Sequence, residues 1–160
     1  MNARDVIKLG IDSGDMICMG YLSDLTDADL LKRPCPTANH TNWQVGHLIA
    51  AEHSMMEQVA PGSMPPLPEG FAARYAKEAA SVDDPKKFCT KDELLAEYKK
   101  QRAGTLAVLA KVTDDELDKP TGVQYAPTVG AMLALQGSHW LMHAGQWVIV
   151  RRQLGRPPMF

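Results

Sequence analysis

The sequence predicts an all-α domain whose long helices pack most simply as a four-helix bundle. Three observations predict it. Four long segments repeat their apolar residues near the 3.6-residue helical period, cap-forming residues open them, and clusters of proline and glycine separate them. Strand signals are weak, and neither an internal repeat nor a low-complexity segment interrupts the pattern. With 160 residues, 45% of them hydrophobic, one domain over residues 1–160 can bury a sizeable core without disulfides or a structural metal.

The first helix is expected from Ala3 to Ser23, where Val6, Ile7, Ile11, Met16, Ile17, Tyr21 and Leu22 follow the helical period. Gly10 and Gly14 are its weak points. Thr26 then caps one short turn containing Leu30 and Leu31, and Pro34 and Pro36 stop its continuation. Thr41 and Gln44 have capping-box spacing, which predicts a second helix from Asn42 to about Val59. Pro61, Gly62, Pro65, Pro66, Pro68 and Gly70 make the next passage irregular, and this connection reaches almost to Thr90. Thr90 and Glu93 repeat the capping-box spacing and open a third helix to about Val112, with Leu94, Leu95, Tyr98, Leu106 and Leu109 apolar. The connection from Thr113 to Pro127 holds one turn started by Thr113 and Glu116. Thr128 opens the fourth helix, which runs to Gln153 or Leu154 before Gly155, Pro157 and Pro158 end it. Two long connections leave the topology open.

A formal net charge of −2 and an isoelectric point near 6.2 give no basic footprint, so nucleic acid is not an expected partner. Asp5, Lys8, Asp12 and Asp15 break the apolar core that a signal peptide needs, and no later run approaches the ~20 apolar residues of a membrane span. No membrane partner is expected. Cys18, Cys35 and Cys89 are odd in number, widely spaced and without a CxxC, which argues against a disulfide framework and for a reducing cytoplasm.

The fourth helix contains HWLMHAGQWVIVRRQLG, from His139 to Gly155, with two histidines four residues apart. At ~100° per residue, His143 lies ~40° from His139, Gln146 about −20° and Val150 ~20°, with Met132 and Leu135 on the same side. Both imidazoles are therefore expected on the stripe facing the bundle interior, away from a solvated side that ends in Arg151 and Arg152. Such a pair is ~6 Å apart along the axis, close enough for two ring nitrogens to share one cation. Two ligands rarely hold zinc tightly, so a third must come from another helix. In NWQVGHLIAAEHSMM of the second helix, His47 shares its face with Trp43, Ala51 and Ser54. Those small side chains, with Ala50 close by, leave room beneath an imidazole.

His53 lies ~240° from His47 and cannot face the same ion from an unbroken helix. His53, His40 and Glu52 are expected as surface or cap residues. Trp43, Trp140 and Trp147 are expected to pack, with Trp43 and Trp147 close enough in phase to line the cleft. A lone histidine among apolar residues is ordinarily a hydrogen-bonded core residue, so the metal reading rests on His47 and the HxxxH pair together. Three imidazoles leave one coordination position open, the arrangement of a catalytic site, and they suit zinc, nickel, iron or copper. Trp140 after His139 excludes HExxH, and Gln136 three residues before His139 excludes the di-iron Glu-x-x-His motif. Neither GxSxG nor a phosphate-cradling P-loop occurs. No general base stands beside the triad, which favours transfer from a metal-activated nucleophile over hydrolysis. Catalytic side chains stay unassigned.

The segments NWQVGHL, HWLMHAGQ and RRQLGRPP resemble the DinB/YfiT-like four-helix-bundle metalloproteins, the DinB superfamily. The resemblance spans nearly the whole chain in element order, and these segments are its specific part. It implies a divalent metal on His47, His139 and His143. It also implies a long crossover between the second and third helices, making those two parallel, and a homodimer. Its characterised branches imply a transferase or isomerase that uses a low-molecular-weight thiol such as bacillithiol, mycothiol or glutathione. Gln146 matches the family's GQ and, with Trp43, is expected beside the ligands. Gly46 and Gly145, inside helices, are expected at close helix approaches. Two functions fit these expectations. One is a cytoplasmic enzyme using zinc or nickel to activate a small thiol or water against a small electrophilic substrate. The other is a non-catalytic bundle with a structural metal or a small-ligand cleft.

Overall fold

Local capping chemistry sets the helix starts in the computed structural model, which describes residues 1–157, 159 and 160. Asn2 and Asp5 satisfy each other's main-chain donors at the start of α1 (Ala3–Ser23), and Thr26 and Asp29 do the same for the single turn α2 (Asp27–Leu30). The long helix α3 (Thr41–Val59) enters a crossover that holds the turn α4 (Phe71–Arg74) and 3₁₀ turns at Lys77–Ala79 and Pro85–Lys87. Thr90 and Glu93 box the start of α5 (Lys91–Lys111), and Thr113 and Glu116 box the turn α6 (Asp114–Leu117). A hairpin of β1 (Pro120–Val123) and β2 (Ala126–Thr128) leads to α7 (Val129–Gln153), capped by Thr128. The four long helices are those the periodicity predicts. Pro158, expected to help end the last one, lies outside the described residues.

Two local expectations are corrected. The cap of α3 is not a Thr41–Gln44 box: His40 is the N-cap, and its Nδ1 accepts the Trp43 main-chain N–H at 3.0 Å. That assigns the proton to its Nε2, which donates to the Val82 carbonyl at 3.1 Å and ties the helix start to the crossover. The connection before α7 is not wholly irregular either. Its antiparallel strands are too short to show a period-two pattern, and Gly122, at φ 76°, takes a left-handed backbone within β1, where the register between Pro120 and Val123 is irregular.

Contacts along the helices fix their directions. Glu52 meets Trp140 and Gln44 meets Gln146, so α3 and α7 are antiparallel. Asn42 donates to the Cys89 carbonyl, while further along Glu52 meets Thr105, so α3 and α5 run parallel. The passage between them is therefore a crossover, as the family resemblance implies. Helices α1 and α7 are also parallel, and they pack so closely that a Cβ on Gly137 would sit 2.7 Å from the Gly10 carbonyl oxygen.

Trp140 and Trp147 are essentially fully buried among Cys18, Leu22, Trp43, Leu48 and Tyr98, as packing residues should be. Removing either indole should cost about 3–5 kcal/mol through lost transfer energy and the cavity left behind. Polar groups expected on the surface lie in this core too. Glu52 is 1% exposed, and its carboxylate accepts from Thr105 Oγ1 at 2.6 Å and Trp140 Nε1 at 3.2 Å. Arg102 from α5 lies 3.0 Å from Glu52 and 3.2 Å from Asp15 of α1, so one guanidinium joins three helices. Burial raises the Glu52 carboxyl above the ordinary carboxylate range, with Arg102 opposing that rise.

Arg151 is likewise not on a solvated side. It is 2% exposed, donates to the Tyr21 carbonyl at 3.0 Å and pairs with Asp24 at the end of α1. Hydrogen bonding from Arg151 holds the Asp24 carboxyl below its ordinary range. Its stabilisation is thus present above the unfolded carboxylate pKa and lost as pH falls through the depressed folded value. Urea titrations from about pH 7 to about pH 2.5 should show Asp24→Asn less stable than wild type at neutrality, with the gap closing in acid. A gap independent of pH would contradict this pairing.

Candidate metal centre

His47 projects from α3, about two turns beyond the cap, and His139 and His143 project from α7 toward it. One ligand nitrogen from each ring lies within 4.8 Å of the other two. Ring centroids are 6.0 Å apart for His47 and His139, 6.1 Å for His47 and His143, and 5.2 Å for His139 and His143. All three rings are half-buried. They stand at the edge of the α3–α7 contact and not on the innermost stripe, which Trp140, Ala144 and Trp147 occupy. Such an edge position gives a small molecule access that a core position would deny.

Burial pushes all three imidazole pKa values down, and His143, which also feels His139 and His47, falls to about 4. The rings are therefore neutral near pH 7, the form in which imidazole binds a metal. Gln44 fixes one tautomer. Its Oε1 accepts the Trp147 indole N–H at 3.0 Å, and an indole can only donate. The same oxygen lies 3.1 Å from His143 Nδ1, so that nitrogen carries the proton and Nε2 keeps the lone pair. Gln44 Nε2 is itself held by the Asn39 carbonyl at 2.6 Å and by Gln146 Oε1 at 3.1 Å.

Trp43 stacks on His47 with centroids 4.8 Å apart and planes 7° from parallel, and its own N–H donates to the Ala76 carbonyl. The close approach at Gly46 is made by the Tyr75 ring, which would lie 2.3 Å from an added Cβ, and not by a helix. No such approach exists at Gly145, where a Cβ would meet nothing within 4 Å. His40 is a cap, as expected, though fully buried, and His53 turns away to hydrogen-bond Gln101 at 3.1 Å. Among the described residues, no carboxylate or thiol joins the three imidazoles. The set fits one divalent cation bound by nitrogen donors, with room for a further ligand.

The sequence profile of the DinB superfamily matches residues 17–147, a span that includes every member of the triad. The chain belongs to the DinB superfamily. A crystal structure of a conserved protein from Enterococcus faecalis shares the fold of this DinB-superfamily chain, with a TM-score of 0.71 and 15% sequence identity. The match covers 98% of this chain and 99% of that one. No curated protein matches the sequence. Among the described residues, no helix is long and apolar enough to cross a membrane.

In this DinB-superfamily bundle, the His143 ring is oriented by Gln44, which sequence reasoning assigned to a helix cap. A signal was present, since Gln44 lies three residues before His47 on the same helix. Gln146, expected beside the ligands, touches Gln44 and thus acts one bond further out. Gln44→Ala should weaken metal affinity about 10- to 100-fold, as loss of an orienting partner does elsewhere, while far-UV circular dichroism stays unchanged. Competitive titration with a metallochromic chelator measures this, and an unaltered affinity would exclude Gln44 from the site.

Proposed function

We propose that this protein is a metal-dependent enzyme in which His47, His139 and His143 hold one divalent cation, zinc or nickel, beside a small-substrate cleft. The observation that carries the reading is the convergence of three neutral imidazoles from two helices, with Gln44 fixing the proton of one. A cation bound there supplies Lewis acidity, lowering the pKa of a thiol or water so that its anion is available at neutral pH. The chain's part is to present three nitrogens, set the His143 tautomer and keep the His47 ring flat against Trp43. Among the described residues no carboxylate or thiol joins the triad as a general acid or base, which favours a low-molecular-weight thiol as nucleophile over hydrolysis. The free thiols at Cys18, Cys35 and Cys89 accord with work in the reducing cytoplasm.

Thiol addition to a panel of small electrophiles tests this. Activity should vanish when the protein is stripped of metal and return with zinc or nickel. Activity that survives complete metal removal would refute metal-activated transfer. A stripped protein that loses melting temperature, with neither form active, would favour a structural metal instead.

A further inference from the structure

The crossover between α3 and α5 holds a cavity of about 360 Å³, lined wholly by its own residues and by no member of the histidine triad. Ala79, Val82 and Phe88 give it apolar walls, and Arg74, Lys86 and Lys87 give it three cations. No acid lines it. Among the described residues, none of the three cations pairs with a carboxylate. The Arg74 guanidinium instead donates to the thiol of Cys89 at 2.9 Å. The acids nearest the lysines in sequence are engaged elsewhere, Asp84 with the Lys86 main-chain N–H at 3.0 Å and Asp83 with Arg33 at 2.7 Å. A cleft lined by one sign of charge over apolar walls focuses its field and draws in a counter-ion.

We propose that this cavity binds a small phosphate monoester with an apolar or planar body. Such a group carries about −1.5 to −2 charge at pH 7 and three strong acceptor oxygens, which a guanidinium fork and two ammonium groups answer together. A monocarboxylate would leave two cations unanswered. Phe88, 8% exposed, with Val82 and Ala79 has no polar side-chain atom, so that wall takes the body of an ester and not a second charge. The volume lies at the small end of the ~300–1,000 Å³ of small-molecule sites. A polymeric anion fits poorly. Glu69, Glu78, Asp83 and Asp84, all exposed, flank the lining residues in sequence, and they would repel a nucleic-acid backbone or an anionic bilayer laid across the mouth. A small anion held among the cations has no such surface to cover. Val82 also ties the cavity to the start of α3, since its carbonyl accepts from His40 Nε2, so a ligand there braces the crossover.

This inference does not depend on the metal. Calorimetric titration with phenyl phosphate should give a sub-millimolar Kd with and without zinc, and His143→Ala should leave that value unchanged. The same compound should raise the melting temperature, because it meets the folded chain alone. Inorganic phosphate should bind about 10-fold more weakly, for want of a ring against Phe88. Arg74→Gln should weaken phenyl phosphate about 10- to 100-fold, and Arg74→Lys, which keeps the charge but loses the fork, should weaken it less. Lys86→Gln with Lys87→Gln should weaken it about 10-fold and flatten its dependence on salt. Both lysines are exposed, so circular dichroism of that double variant should match wild type. No binding at about 1 mM, or an affinity unmoved by Arg74→Gln and by the double lysine variant, would overturn the proposal. An affinity lost with the metal or with His143 would place the anion on the triad's cation and overturn it as well. Inorganic phosphate binding as tightly as its phenyl ester would overturn the assignment of an organic ligand.

Discussion

His143→Ala should lose stoichiometric metal while keeping the fold, with affinity down by well over about 100-fold, because it removes a donor and not merely its support. The imidazole stands at the edge of the helix contact, half-buried, so its loss opens no large internal cavity. The metal-free variant should therefore melt close to metal-free wild type. The difference appears when metal is added. Wild type at about 1,000 times its Kd gains about 4 kcal/mol from binding to the folded state alone, and the variant should gain almost none. Metal analysis of tag-free protein, paired with melting curves with and without zinc, separates the two effects. Undiminished metal in the variant would remove His143 from the ligand set.

A large effect on stability is also expected from Glu52→Ala. This carboxylate accepts from Thr105 and Trp140 and lies 3.0 Å from Arg102 in the bundle core. Truncation strands two neutral donors and leaves Arg102, 4% exposed, with Asp15 as its remaining acid. Breaking a buried ion pair from one side costs about 3–5 kcal/mol, or about 10 °C in melting temperature for a chain of this size. Thermal denaturation of the metal-free variant measures it. A shift of less than about 2 °C would mean that the three-helix network adds no net stability.

Much of the fold was legible because local chemistry writes it. The Thr90–Glu93 and Thr113–Glu116 boxes formed as spaced, and apolar periodicity located the four long helices. The capping box at Thr41 failed for a reason that spacing cannot reveal. His40 can cap the same helix with a ring nitrogen while its other nitrogen is held by Val82, forty-two residues away. Gln44, freed from the cap, then reaches His143 ninety-nine residues away. Glu52 and Arg151 misled the reading in the same manner. A charged side chain looks solvated in sequence until the partner that neutralises it arrives from another helix, as Arg102 and Asp24 do here.

By itself the sequence determined the helices, the crossover-length passage and the three imidazoles that can share a cation, because period, capping and an i,i+4 pair are properties of neighbours along one chain. Tertiary structure alone decided that these rings sit at an accessible edge, that Gln44 sets the His143 proton, and that Glu52, Arg102 and Asp15 join three helices at the centre. Those outcomes depend on groups far apart in sequence losing water together. Hydrogen-bond direction and the cost of burying charge are fixed only when both partners are in place.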